Sequence, residues 1–209
     1  MGYSISVALL LTPGLDPRLL VGRLESLKQM LQQEKNRLST ACKVTTPFLK
    51  RMIKTIERQI TQVQEAIKTH IKNNPDLHEK SCLLATIPGI GDETINQILA
   101  YLGNLEHFQS AREMAAYVGL TPKQQQSGSS VNAKARMSKI GPGNLRKAFY
   151  FPAIVAKKYN PVIQKFCDQL AQKGKPPMVI IGAAMRKLIH IIYGVLKSGK
   201  PFNPNLCSN

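Results

Sequence analysis

Leu83-Leu84-Ala85-Thr86-Ile87-Pro88-Gly89-Ile90-Gly91-Asp92-Glu93-Thr94 is the stretch that decides the fold, with Ile95, Ile98 and Leu99 following it. An apolar helical run meets a Pro-Gly-Ile-Gly punctuation and resumes as a second apolar helix. Gly89 and Gly91 permit tight or positive-φ turning and close approach of another backbone. The start of the second helix presents unpaired N–H groups, which suit a phosphate. Asp92 and Glu93 complement the helix dipole but oppose an anion at the same place. A glycine turn between two core helices needs no ligand, so both readings of this turn stay open.

Helix, glycine turn and helix in this order match the helix-hairpin-helix pattern of DNA repair and recombination proteins, which bind largely without regard to sequence. Upstream, Leu20, Leu24, Leu27, Leu31 and Leu38 recur at heptad-like steps within residues 16–41. Ile53, Ile56, Ile60, Val63 and Ile67 do the same within residues 47–72. Each set occupies one helical face. Thr46 followed by Pro47 reads as an N-cap and a first helical proline. With a short link near residues 43–45, the pair is expected to fold back as an antiparallel coiled-coil hairpin. Asn73-Asn74-Pro75-Asp76 ends the second helix and opens a third.

Downstream, Ser110-Ala111-Arg112-Glu113 is a capping box opening a helix that runs through Val118 to Gly119. Residues 120–132 read as a small polar loop, and a short strand is conceivable only near residues 131–137. Gly141-Pro142-Gly143-Asn144 starts a helix carrying Arg146 and Lys147, which Pro152 should kink or end. Asn160-Pro161 starts another, reaching about Gln172. Lys173-Gly174-Lys175-Pro176-Pro177 is a loop, and a last apolar helix runs from about Met178 to Leu196. The fold class expected is mainly α: the hairpin over residues 16–74, a helical domain with the helix-hairpin-helix over residues 75–200, and a tail over 201–209.

Charge is distributed unevenly. Residues 1–113 hold 14 basic and 11 acidic residues, whereas residues 114–209 hold 15 basic residues and the single acid Asp168. A folded segment so unbalanced repels itself, and a polyanion relieves the repulsion by releasing condensed counterions. DNA is the expected partner. An anionic membrane is not, because the basic residues do not lie along one amphipathic helix. Cys42, Cys82, Cys167 and Cys207 are far apart, as are His70, His78, His107 and His190, which excludes a CxxC metal clip and fits a reduced cytoplasmic protein. The apolar run over residues 5–11 is too short to span a bilayer and lacks the flanks of a signal peptide.

No paired carboxylates, metal-ligand cluster or nucleotide P-loop stands out, and the Gly-x-Gly at 89–91 and 141–143 is too short for a dinucleotide fingerprint. Ser127 lies between a Gln run and Gly128, beside a basic stretch. A hydroxyl next to phosphate-binding cations can attack a phosphodiester, although a Ser in such a loop is ordinarily only solvated.

The order of landmarks resembles the insertion-sequence transposases related to the Piv DNA invertase, the bridge-RNA-guided serine recombinases. The matching pieces are Glu34-Lys35-Asn36-Arg37-Leu38, Ile87-Pro88-Gly89-Ile90-Gly91, Ala116-Tyr117-Val118-Gly119-Leu120-Thr121-Pro122, Ser127-Gly128 and Ser138-Lys139-Ile140-Gly141. Asn144-Leu145-Arg146, Asn160-Pro161, Gly174-Lys175-Pro176 and Met185-Arg186-Lys187-Leu188 complete the series. The resemblance implies a RuvC-like domain with metal-binding acids, then a coiled coil, then a transposase domain. It implies Ser127 as the nucleophile that forms a phosphoserine link to DNA.

Residues 1–15 offer no acidic tetrad, and their apolar character reads as out-of-frame sequence or a truncation remnant. The chain alone is therefore expected not to cut DNA, and magnesium is expected only with a RuvC-like partner domain. Lys134, Arg136, Lys139, Arg146 and Lys147 are the expected phosphate contacts, together with Gly89 and Gly91. A structured guide RNA is a further expected partner, as is a second copy through the coiled coil, on the bacterial nucleoid. The competing readings are a non-catalytic regulatory transposase fragment and a helix-hairpin-helix protein that binds DNA junctions.

Overall fold

The computed structural model describes residues 16–123, 126–127, 131–132, 136–138 and 140–207. It is mainly helical and divides into two compact units between His78 and Glu79.

In the first unit, α1 (Pro17–Ser39) and α2 (Thr46–Asn73) pack on one another across a six-residue link. Asp16 starts α1 by accepting the Arg18 N–H at 2.9 Å, and Pro17 fills a position that needs no N–H. The apolar contact is narrower than the leucine spacing suggests. Val21, Leu24 and Leu27 of α1 and Ile53, Ile56 and Ile67 of α2 are buried. Leu20, Leu31, Leu38, Ile60 and Val63 stay half-exposed, because two helices cannot cover one another's flanks. Burying one such side chain contributes about 1.5–3 kcal/mol. The Lys35–Glu57 ion pair at 3.1 Å is half-exposed at both ends and adds little. Thr46 is not the N-cap that the sequence suggests. The helix begins at Thr46 itself, whose hydroxyl donates to the Cys42 carbonyl at 2.9 Å instead of accepting from the first turn.

The unit boundary falls inside α3 (Pro75–Ala85). The second unit continues with α4 (Asp92–Leu102), α5 (Ala111–Tyr117), α6 (Gly143–Ala148), α7 (Tyr150–Tyr159), α8 (Pro161–Gln172) and α9 (Pro177–Ser198). The core forms around α9, which packs on α5, α7 and α8. Leu188, Ile189 and Ile192 are fully buried there. This helix is long and apolar enough to cross a membrane by length and composition alone. Its apolarity has a nearer cause, since a helix packed on several sides needs apolar residues all round.

The helix carrying Arg146 and Lys147, which Pro152 is expected to kink or end, stops at Ala148, and a second helix begins at Tyr150, with the break at Phe149. Pro152 has no N–H for the Ala148 carbonyl and its ring crowds that group, so it fits only in the first turn of a new helix. Ser110 caps α5 as expected, its Oγ accepting the Glu113 N–H at 3.2 Å, while the Glu113 carboxylate reaches the Gln109 N–H at 2.7 Å.

Extended structure between α5 and α6 is slight. β1 (Pro122–Lys123) pairs antiparallel with β4 (Arg136–Met137), and β2 (Gln126–Ser127) pairs with β3 (Val131–Asn132). The second ladder nests inside the first. The stretch expected to be plain loop is therefore a narrow ribbon in its described parts. Alternation is too brief over two-residue strands to be seen in the sequence.

Candidate nucleic-acid interface

Ser127 sits in the inner ladder of the ribbon, opposite Val131 in register. Arg136 stands opposite Lys123 in the outer ladder. Lys134, Lys139 and Gly128 lie outside the described residues. The base of the ribbon is held to α5 from several sides. The Ser138 N–H donates to the Thr121 carbonyl at 2.8 Å, extending the outer ladder. Gly141, at φ +108°, passes so close to the Tyr117 carbonyl that a Cβ would overlap it. The half-buried Arg146 donates from Nη1 to the Val118 carbonyl at 3.5 Å. Three sequence pieces that are separate in the chain thus meet here: residues 116–122, 138–141 and 144–146.

Arg146 is consequently engaged in holding the end of α5. Lys147, its neighbour on α6, is exposed. The outer ladder places Lys123 and Arg136 on facing backbone positions, the inner ladder has no cation, and Asp168 is the one acid in residues 114–209. Among the described residues, no group of three or more His, Cys, Asp or Glu side chains comes together to hold a metal ion.

The turn between α3 and α4 treats its two glycines differently. Gly89, at φ +101°, lies against α7: a Cβ built there would stand 2.7 Å from the Ala156 backbone nitrogen and 2.8 Å from its Cα. Gly91 is exposed, with nothing within 4 Å of such a Cβ, and it precedes α4 without a side-chain cap. The α4 N-terminus is therefore open, with Asp92 and Glu93 in its first turn.

Sequence reasoning took Asn160 only as a helix start. It is also fully buried. Its Oδ1 accepts from the Val162 and Ile163 N–H groups at 3.1 and 3.3 Å, and its Nδ2 donates to the Pro88 carbonyl at 3.5 Å. One side chain thus starts α8 and ties it to the glycine turn. The Asn-Pro pair signals the cap, but nothing local signals the tie.

His190 on α9 was also missed as more than a scattered histidine. Its Nε2 is buried with no hydrogen-bond partner. Burial pushes its pKa below the ordinary 6.5, and the charges of Arg186, Lys187 and Arg112 push the same way. The unfolded chain then binds the proton more readily, so stability rises with pH. The contribution is complete above about pH 6.5 and is lost as the pH falls below it. Urea midpoints measured from pH 7 to pH 5 are expected to fall, and His190→Gln is expected to flatten the decline. Equal slopes for the two proteins would rule His190 out as the cause.

In comparison with known proteins, residues 81–168 match the Transposase IS116/IS110/IS902 family. The chain is 40% identical to the pilin gene-inverting protein of Moraxella bovis over 149 residues, which is 70% of this chain and 46% of that protein. The pilin gene-inverting protein of Moraxella lacunata matches to the same extent. The transposase for insertion sequence element IS1328 of Yersinia enterocolitica is 30% identical over 108 residues, 48% of this chain and 31% of that protein. The chain thus spans about half, or less, of the length of these relatives.

Proposed function

We propose that this chain is the nucleic-acid-binding part of a DNA transposase or site-specific recombinase, in which Ser127 is the nucleophile. The observation that carries the reading is the 40% identity to the pilin gene-inverting protein over 70% of the chain, a span that reaches beyond the transposase domain alone. The physical arrangement agrees with it. The ribbon holding Ser127 rises from a base clamped to α5, within a half of the chain that is nearly free of acids. In this reading the Ser127 hydroxyl attacks a phosphodiester. The phosphorus–oxygen bond of the leaving strand breaks, and nearby cations stabilise the charge that develops. In this reading magnesium is held by a RuvC-like acidic domain.

α1 and α2 act in this reading as a coiled-coil arm through which copies associate. The turn between α3 and α4 acts as a helix-hairpin-helix. Gly91 and the open start of α4 then form its phosphate contact, while Gly89 supports them from below. A structured guide RNA and a location on bacterial DNA in the cytoplasm belong to the same proposal.

The test uses end-labelled donor and target DNA with guide RNA and magnesium, with and without an added RuvC-like domain from a relative. A covalent protein–DNA adduct on a denaturing gel is expected only when that domain is added. Ser127→Ala is expected to abolish the adduct and to leave the binding constant within about two-fold, since one neutral hydroxyl contributes little to a contact dominated by phosphate charge. An adduct that survives Ser127→Ala would overturn the assignment of the nucleophile.

A further inference from the structure

α7 carries two apolar faces. Pro152, Ala153 and Ala156 are buried and join the core. Phe151, Ile154, Val155 and Tyr159 point outward, exposed to 73%, 39%, 43% and 61%. With Lys158 they occupy positions 151, 154, 155, 158 and 159, the steps of three and one that trace a single helical stripe. Isolated surface hydrophobics need no explanation, but a contiguous stripe with a ring at each end does.

Charge identifies what covers it. Lys157 and Lys158 are exposed at its C-terminal end, and α7 bears no acid. The Lys158 ammonium already stands 5.1 Å from the centre of the Tyr159 ring. The surrounding half of the chain holds 15 basic residues against one acid, so a second copy would bring like charges together. A polyanion with flat apolar faces suits both features. Rings interleaved with cations are the make-up of a platform for single strands, where bases stack and phosphates take the lysines. A duplex keeps its bases stacked inside and cannot use the rings. Phe151 and Tyr159 are eight positions apart, about 12 Å along the helix. That is about three steps of a stacked strand at 3.4 Å each.

We propose that the outer face of α7 binds unpaired nucleotides, with bases on Phe151 and Tyr159 and phosphates on Lys157 and Lys158. The site is made of other residues than the Ser127 ribbon, and none of its proposed contacts is Ser127 or a ribbon cation. Its failure would leave the proposed nucleophile untouched.

The experiment titrates the full chain into labelled pyrimidine strands of about 12 nucleotides, as DNA and as RNA, and into a duplex of matched sequence. One strand of each kind carries 2-aminopurine, whose fluorescence falls on stacking. Phe151→Leu and Tyr159→Leu keep the apolar area and remove the rings. Each is expected to weaken single-strand binding about five- to hundred-fold and to abolish the quench, with duplex affinity held within about two-fold. Lys157→Gln with Lys158→Gln is expected to flatten the single-strand salt slope by about 1.4. The ratio of DNA to RNA affinity assigns the source of the strand, and tight binding of either supports the site. Unchanged single-strand affinity in both ring variants would overturn it. So would equal losses on strand and duplex, or a ring-dependent self-association seen by sedimentation without ring-dependent strand binding.

Discussion

Gly89→Ala is expected to lower the stability of the chain by about 3–5 kcal/mol, a large part of what a domain of this size possesses. Two independent penalties act together. The residue sits at φ +101°, a region that side chains with a Cβ rarely adopt. The new methyl would also meet the Ala156 backbone at 2.7–2.8 Å, where helical backbone cannot give way as a flexible side chain can. Gly91→Ala is the matched control. Its φ of −103° and ψ of 170° are extended values open to any residue, and a Cβ added there would meet nothing within 4 Å beyond its chain neighbours. Because Gly91 is the N-cap of α4, where alanine is the poorer residue, the exchange should cost no more than about 1 kcal/mol. Urea unfolding of the two variants and the parent checks both statements. If Gly91 contacts phosphate, its alanine variant should lose duplex affinity while remaining folded. If Gly89→Ala unfolded at the parental midpoint, the packing of this turn on α7 would be wrong.

The contrast shows where the sequence is legible. Local chemistry reads well. Ser110 caps α5 through Glu113, Asn160-Pro161 opens α8, and Pro152 forces a break ahead of α7. In each case the signal and its effect lie within one helical turn. Gly89 and Gly91 look alike in sequence because what separates them is Ala156, brought in from a distant helix. The bond from Arg146 to the Val118 carbonyl is hidden for the same reason, since its partner lies a loop away, and the sequence shows only a cation suited to phosphate. The α7 stripe escaped notice because both faces of that helix are apolar, and periodicity cannot tell which one the core takes. Ser127 stands differently again. Its place in the ribbon gives position and register, but its role rests on resemblance to other chains and not on any property of a Ser-Gly pair.

Replacing Lys134, Arg136, Lys139 and Lys147 together by glutamine is expected to reduce duplex DNA affinity on the order of a thousand-fold near 0.1 M salt. The reasoning is arithmetic on counterions. Each phosphate neutralised in duplex DNA contributes about 0.9 to the slope of log affinity against log salt, so four contacts contribute about 3.6. The loss should be uniform across sequences, because phosphate contacts position the protein without reading bases. Arg146 separates from this group on structural grounds. Its guanidinium is half-buried and donates to the Val118 carbonyl at the end of α5. Arg146→Gln should therefore lower the unfolding midpoint, by about 1–2 kcal/mol for a charged hydrogen bond lost in a part-buried site, and change the slope by well under 0.9. The four exchanged residues should do the reverse, removing slope while leaving the midpoint unchanged or raised, since self-repulsion falls. A slope that stays at the parental value in the four-residue variant would place the DNA elsewhere on the chain. The exposed lysines of α8 and α9 would then be the next to test, and the ribbon could not be the surface that brings Ser127 to a phosphate.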